Sequence, residues 1–344
     1  MHSIISFRPM HFLLGLLCSL MFSQISLARQ VDVHDPVMIR EGNTYYLFST
    51  GPGITIYSST DMKNWRKAGR VFETEPAWAR TVAPEFNGHL WAPDIVRHKG
   101  NFYLYYSVSA FGKNTSAMGV AITKTLDSSS PDYGWVDQGI VVQSVPHRDM
   151  WNAIDPAVII DEDGIPWMSF GSFWGGLKLV RLAEDLISLA EPQEWHTLAK
   201  RERSVLEDDA NAGPAAIEAP FIFRKGDFYY LFASWDKCCR GKDSDYKVVV
   251  GRSKNIRGPY LDKDGVDMNK GGGSLVIAGN KNWAGLGHNS AYTFGKKDYL
   301  VLHAYESADN YLQKIKILEM TWDKQGWPKV DPKDLDRYQS RLVE

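Results

Sequence analysis

A short sequence phrase returns five times along this chain, and each copy has the composition of a β-hairpin. A copy opens on a polar residue, runs into an apolar strand, turns at a glycine and returns through apolar and aromatic residues. The copies occupy residues 35–48, 94–106, 155–170, 218–232 and 288–302, so their starts lie about 60 to 70 residues apart. Hairpins at a nearly fixed period indicate a radial repeat. The repeat predicts an all-β fold, a five-bladed β-propeller with four strands in each blade.

The register of the repeat places five polar side chains at equivalent points, where the innermost strands begin. They are Asp35, Asp94, Asp155, Glu218 and His288. In a closed ring of blades these points face one axis, and carboxylates gathered there raise one another's pKa, as in acid/base catalysis. The alternative is that each acid only caps a solvated turn. Four acids in one register favour the catalytic interpretation.

Aromatic residues supply the second indication of function. The chain has 12 Trp, 16 Tyr and 15 Phe, and most of these rings are expected to pack in the core. Trp91 and Trp151 each precede an acid of the repeat, however, and Phe173 and Trp174 follow the third hairpin. Flat rings beside carboxylates suit sugars, which have apolar C–H faces and polar edges.

The amino-terminal segment predicts export. Arg8 precedes an apolar run from Phe12 to Phe22, and Ser26 and Ala28 offer small residues at a cleavage site. This pattern predicts a secretory signal peptide over residues 1–28 and a propeller domain over residues 29–344, in the periplasm or outside the cell. The net charge of −2 argues against nucleic acid or an anionic membrane as a partner.

Two adjacent cysteines, Cys238 and Cys239, follow the predicted signal peptide. They are either two free or buried thiols or a vicinal disulfide that stiffens residues 236–242, and an exported chain meets oxidising conditions. A zinc site is not expected, because no second Cys or His pair lies at ligand spacing.

Several phrases of this chain are those of a known family. They are Val33-His34-Asp35-Pro36, Leu90-Trp91-Ala92-Pro93-Asp94, Trp151-Asn152-Ala153-Ile154-Asp155-Pro156, Ser172-Phe173-Trp174-Gly175-Gly176, Ile217-Glu218-Ala219-Pro220 and Gly287-His288-Asn289. Together they resemble glycoside hydrolase family 43, a family of five-bladed β-propellers, and within it the endo-acting α-1,5-L-arabinanases. The resemblance covers essentially the whole chain after the predicted signal peptide.

The resemblance implies a role for three carboxylates. Asp35 matches the general base, which activates a water molecule, and Glu218 matches the general acid, which protonates the departing glycosidic oxygen. Asp155 matches a third carboxylate that orients Glu218 and keeps its pKa high. A base and an acid roughly 6.5–9.5 Å apart leave room for that water and give inversion at the anomeric carbon. Asp94 has no catalytic counterpart and is interpreted as structural or as a hydrogen-bond partner.

The resemblance also implies which residues contact the substrate. They are Trp91, Phe111, Asn152, Ser172, Phe173 and Trp174. The aromatic rings are expected to stack on arabinofuranose rings, and the Asn and Ser side chains to bond hydroxyl groups. The expected substrate is linear arabinan, a neutral polymer, and the protein is expected to be a monomer.

The family pattern gives His288 a metal ion, usually calcium, in the central channel. A structural calcium ion is therefore expected there, with no organic cofactor. Calcium prefers oxygen ligands, so the alternative is a hydrogen-bonded core histidine.

Two other functions stay open at this point. One is a β-xylosidase or α-L-arabinofuranosidase on the same scaffold. The other is a non-catalytic sugar-binding propeller, which would keep the aromatic residues but would not need Asp35 and Glu218 together. The sequence also leaves open whether attack is internal or directed at chain ends.

Overall fold

Five β-sheets, arranged as the blades of a propeller, make up the computed structural model, which describes residues 29–343. Blade I is built from Val37–Glu41, Thr44–Ser49, Thr55–Ser59 and Asn64–Arg70. Blade II has His89–His98, Asn101–Val108, Ser116–Thr123 and Val136–Ser144, with Gly51–Pro52 on its inner edge. Blade III has Ala157–Ile160, Pro166–Phe170, Leu177–Arg181 and Trp195–Ala199. Blade IV has Ile217–Lys225, Phe228–Trp235, Lys247–Ser253 and Ser274–Ile277, and blade V has Trp283–Phe294, Lys297–Glu306, Leu312–Trp322 and Pro328–Val330.

The described helices are all a single turn long. Ala79–Val82 and Asp334–Arg337 are α-helical, and Gly241–Asp243, Met268–Lys270 and Ser307–Asp309 are 3₁₀. Within residues 29–343, no helix is long and apolar enough to cross a membrane. The predicted signal peptide, residues 1–28, lies outside the described residues, so the proposed boundary at residue 28 stays a prediction.

Glycine turns connect the two inner strands of each blade, as the repeat predicts. Gly42 and Gly100 follow the first strands of blades I and II with φ of 57° and 87°. This backbone region is costly for residues with a Cβ atom, which explains why glycine returns at this point of the hairpin. Antiparallel pairing then continues outward through each blade.

The first and last segments of the described residues close the ring between blades V and I. The innermost strands contact one another in succession, from blade I through blade V and back to blade I. Arg341 and Leu342 pair in parallel with Asn64 and Trp65 on the outer edge of blade I. At the other end, the carbonyl of Val31 accepts a hydrogen bond from the N–H of Ile315 in blade V.

The core lies between the blades rather than in one central cluster. Trp65 is fully buried against Val301 and Ile315, so it fills the contact between blades I and V. Neighbouring blades cover the apolar faces of each sheet, so the ring is rigid. The loops at its axial ends are therefore held in a fixed geometry.

Candidate active site

The innermost strands share an unusual backbone residue near their start. Asp35, Ala92, Asp155, Ala219 and His288 all have positive φ, between 45° and 61°. Such conformations are rare for residues other than glycine and turn the chain sharply. This shared turn directs one end of every innermost strand towards the axis.

The turn corrects the predicted register of two acids. Asp94 lies two residues after the turn residue of its blade, and Glu218 lies one residue before it. Strand pairing is irregular at both places, because the ladder skips between Trp91 and Asp94 and between Glu218 and Phe221. The expectation of five strictly equivalent positions is therefore wrong for Asp94 and Glu218.

In three blades, the backbone N–H of the turn residue donates a hydrogen bond to a hydroxyl group of the preceding blade. The pairs are Ala92 to Thr50 at 2.8 Å, Asp155 to Ser107 at 3.1 Å and His288 to Ser234 at 2.9 Å. These hydroxyl residues end the second hairpin strand of blades I, II and IV. Their recurrence at the end of the second hairpin strand is visible in the sequence.

Asp35 lies among three histidines. Its Oδ1 atom is 2.8 Å from Nδ1 of His34 and 3.1 Å from Nδ1 of His288. Thr50 donates a hydrogen bond to Oδ2, and the Asp35 N–H donates to Nδ1 of His303 at 3.2 Å. Burial alone would raise the pKa of Asp35, but His288 and His34 outweigh it and hold that pKa well below its ordinary value. Asp35 is therefore kept as a carboxylate.

Glu218 experiences the opposite balance. Its Oε2 atom accepts a hydrogen bond from the Ser172 hydroxyl at 2.8 Å. Burial and the negative charge of Asp35 raise the pKa of Glu218, although the nearby Ser172 and Tyr246 hydroxyls act against the rise. A carboxyl group in these surroundings keeps its proton to higher pH and can act as an acid.

Asp155 connects these two environments. It is 6% exposed, and its Oδ2 atom accepts the N–H of Ala219, the residue after Glu218, at 3.1 Å. Burial, Glu218 and Asp35 all raise the pKa of Asp155 well above its ordinary value. Asp155 thus fixes the backbone beside Glu218 and competes with it for a proton.

Asp94 connects blades II and III and does not bond the cluster of Asp35, Asp155 and Glu218. Its Oδ2 atom accepts the N–H of Val158 in blade III at 2.7 Å, which fits the structural interpretation. Burial raises the pKa of Asp94 to about 7. A narrow central channel is lined by Asp94, Asp155, His288 and Asn289. It lies beneath the axial end of the ring where Asp35, Asp155 and Glu218 gather, and this end is the mouth of the funnel.

The predicted substrate contacts differ in accessibility. Phe111 is 82% exposed, which leaves its ring open to a ligand, and Trp91 is half-buried. Asn152 is buried, with its amide nitrogen donating to the Lys113 carbonyl and its oxygen without a partner among the described residues. Ser172 is buried and bonds Glu218, so it is placed to orient that acid.

Phe173 and Trp174 hold the loop that carries Ser172. The Phe173 N–H donates to the Ile217 carbonyl at 2.8 Å, which ties the loop to the strand of Glu218. Trp174 is only 2% exposed, and its indole N–H donates to the Asp209 carbonyl at 2.9 Å. In this arrangement Trp174 supports the loop and offers no open ring face, so its stacking on a sugar stays a prediction.

The adjacent cysteines form a vicinal disulfide, which decides between the two alternatives left open by the sequence. Cys239 is exposed near the mouth of the funnel, with its Sγ atom 3.8 Å from Nε2 of His34. The Cys239 N–H donates to the Tyr305 hydroxyl at 3.0 Å, and that oxygen is 2.7 Å from Nε2 of His34. The disulfide loop therefore fixes the Tyr305 hydroxyl, which in turn contacts His34.

Sequence reasoning missed the two histidines that accompany His288. His34 lies within the Val33-His34-Asp35-Pro36 phrase, and its position beside Asp35 is the sequence signal for its role. His303 is fully buried and stacks on His34 with ring centroids 3.9 Å apart. Nδ1 of His303 accepts a hydrogen bond from the Asp35 N–H, so this nitrogen carries no proton. Burial also lowers the pKa of His303, which favours the same neutral ring.

A propeller whose axial mouth holds one low-pKa and one high-pKa carboxyl group has the design of a glycoside hydrolase. The comparisons agree with this class. The family model for glycosyl hydrolases family 43 matches residues 29–328. The chain belongs to glycoside hydrolase family 43.

The most informative relatives are arabinan-degrading enzymes. The chain is 69% identical over 330 residues to the extracellular exo-α-(1→5)-L-arabinofuranosidase ArbA of Cellvibrio japonicus, covering 96% of this chain and 94% of the relative. It is 40% identical to the extracellular endo-α-(1→5)-L-arabinanase 1 of Bacillus subtilis, covering 86% and 87% of the two chains. The solved structure of a Cellvibrio cellulosa α-L-arabinanase complexed with arabinohexaose has 70% identity and a TM-score of 0.91, covering 92% of this chain and 100% of that one.

Proposed function

We propose that this chain is an exported, inverting hydrolase of the α-1,5-L-arabinofuranosidic bonds of linear arabinan. The observation that carries the proposal is the opposite displacement of two pKa values at one mouth. His288 and His34 lower the pKa of Asp35 and favour its ionised form, whereas burial and Asp35 raise the pKa of Glu218 and favour its protonated form. Environments that separate two carboxyl groups in this way assign one as base and the other as acid.

In the proposed mechanism, Asp35 removes a proton from a water molecule that attacks the anomeric carbon. Glu218 gives its proton to the departing glycosidic oxygen, with Ser172 orienting the carboxyl group. Asp155 holds the backbone of Ala219 and raises the pKa of Glu218 by like-charge repulsion. Attack and departure occur on opposite faces of the sugar, so the product emerges as the β-anomer.

The preference for arabinan and for export rests on the relatives. Both curated relatives described above are named as extracellular enzymes of α-1,5-linked arabinan. The 69% identical relative is named an exo-acting enzyme, so we propose attack from chain ends rather than the internal attack implied by the resemblance to endo-acting arabinanases.

Product analysis tests the proposal directly. Purified protein incubated with linear α-1,5-arabinan is expected to release short arabino-oligosaccharides of one length, appearing first as the β-anomer by proton NMR. A broad ladder of early products would instead indicate internal attack. Products from xylan or aryl xylosides but not from arabinan would contradict the proposed substrate.

The central channel has donors that fit a calcium ion. Asn289 is 3% exposed, and within the described residues neither atom of its amide group makes a hydrogen bond. Asp94 and His288 line the same channel. Carboxylate and amide oxygens are the ligands that calcium prefers, so we propose that Asp94, Asn289 and His288 hold the ion, directly or through water. When bound, the ion would supply positive charge beneath the catalytic carboxylates.

Removal of this ion is expected to lower the melting temperature by a few degrees, because the ion binds only the folded ring. The measurement is thermal unfolding before and after dialysis against a chelator, followed by addition of calcium or of magnesium. Calcium should restore the original value. An unchanged melting temperature would leave His288 as a partner of Asp35 alone.

A further inference from the structure

A groove between blades II and III lies outside the site described above. It has a volume of about 600 Å³, within the range of ligand sites. Its walls come from the outer strand of blade II with residues 148–151, and from the two outer strands of blade III with the connection between them. The predicted contacts Trp91, Phe111, Asn152, Ser172, Phe173 and Trp174 do not line it.

Two indole rings form the apolar wall of the groove. Trp151 and Trp195 lie with ring centroids 5.0 Å apart at 35°, and both are half-buried. The indole N–H of Trp195 donates to the Gln193 side chain at 3.0 Å, which fixes the orientation of the ring. Trp151 was noted in the sequence as an aromatic residue next to an acid, but it lines this groove instead of the axial channel.

Hydrogen-bond donors surround these rings, and the one carboxylate of the groove is neutralised. Lys178 donates to the Gly175 carbonyl and the Thr197 hydroxyl, both at 2.9 Å, and has no ion-pair partner among the described residues. Asp149 is 6% exposed and accepts from Arg148 and from the Val145 N–H. Burial lowers the pKa of Lys178 to about 8, as expected for an amine without a counter-charge.

The groove also shares a wall with the candidate active site. The Gly175 N–H donates to the Met150 carbonyl at 2.9 Å, and Gly175 ends the loop that carries Ser172 and Phe173. On the other side, Trp151 is followed directly by Asn152, a predicted substrate contact. A polymer that leaves the mouth of the funnel along blade III therefore meets the groove next.

We propose that this groove is a second binding site for arabinan, which holds a segment of the polymer beyond the residues in the mouth. The proposal rests on the proposed function, because the polymer that it binds is the substrate named there. Aromatic faces match the apolar C–H faces of furanose rings, and the amide and ammonium donors match their hydroxyl groups. Such a site increases affinity for the long polymer without acting on short fragments.

The test compares long linear arabinan with arabinotriose. Trp195→Ala is expected to raise KM for the polymer three- to tenfold, since a lost stacking contact has about that effect, while kcat and the KM for arabinotriose stay at their original values. Trp195 also packs against Phe170, so its removal changes the core as well as the groove. A second variant therefore tests the groove without changing the core. Gln143→Ala with Gln193→Ala changes two exposed side chains and is expected to raise polymer KM two- to threefold.

Trp322→Ala is the matched control. This residue is a half-buried tryptophan of blade V that stacks on Phe223, far from the groove in the chain and in the ring. Trp322→Ala should lower stability, but it should not raise the KM for linear arabinan relative to the KM for arabinotriose. Unchanged polymer KM in both groove variants would overturn the proposal, as would an equal rise for arabinotriose.

Electrophoretic retardation in gels that contain polysaccharide reports binding without catalysis. In a Glu218→Ala background, Trp195→Ala should weaken retardation by linear arabinan. Retardation by polygalacturonate but not by arabinan would overturn the proposal in favour of an acidic glycan. If the wild type releases no product from arabinan but Trp195-dependent retardation persists, the proposed catalysis fails while the groove assignment stands.

Discussion

Glu218→Ala is expected to lower kcat on linear arabinan by about 10²–10⁴-fold, the usual contribution of a positioned general acid. The variant removes the carboxyl group that Ser172 orients and leaves Asp35 with its histidines. Binding of arabinan should persist, because the aromatic contacts do not depend on Glu218. Steady-state kinetics and isothermal titration with arabino-oligosaccharides measure the two quantities separately.

The leaving group makes this prediction specific to an acid. An arabino-oligosaccharide with a dinitrophenyl leaving group needs no protonation, so Glu218→Ala should cleave it at close to the original rate. Asp35→Ala should lose activity on both substrates, since water still needs a base. Equal losses of Glu218→Ala on both substrates would contradict the acid assignment.

A half-buried glutamate elsewhere in the ring provides the matched control. Glu41 ends the inner strand of blade I at the turn, the end opposite to Asp35, and accepts the Leu126 N–H at 2.8 Å. Glu41→Ala removes a carboxylate with comparable burial and should retain kcat. Its melting temperature shows how much of any loss comes from stability alone.

The fold was predictable because it repeats. Each hairpin phrase combines a glycine turn with strand-forming residues, so five weak local signals support one another. The short Asp-Pro and Glu-Ala-Pro phrases then indicated which ends of the strands gather at the axis.

The parts of the site that were missed depend on contacts between distant residues. His303 meets Asp35 across the closure of the ring, at a sequence separation of 268. Nothing in the local sequence of blade V marks His303, which lies in a run of apolar strand residues. The covering of Trp174 depends on Asp209, in a loop without repeat pattern. The one-residue offset of Glu218 results from irregular strand pairing, which a regular period does not reveal.

Asp155→Asn is expected to move the basic limb of the pH–rate profile to lower pH and to reduce kcat by roughly 10²-fold. Burial, Glu218 and Asp35 raise the pKa of Asp155, and repulsion between two carboxylates is mutual. Without the charge at position 155, Glu218 loses its proton at lower pH, so the acid form disappears earlier as the pH rises. The loss in kcat follows because an asparagine that turns its NH₂ group towards Ala219 no longer holds the backbone beside Glu218.

The acidic limb provides the internal check on this coupling. Asp35 sets that limb, and its low pKa comes from His288 and His34, which Asp155→Asn does not touch. Asp161→Asn is a control in the same blade, since Asp161 accepts the Ile165 N–H at the turn end of the inner strand. It should leave both limbs in place. A basic limb that stays in place in Asp155→Asn would mean that burial and Asp35 raise the pKa of Glu218 without help from Asp155, and Asp155 would then act only by holding Ala219.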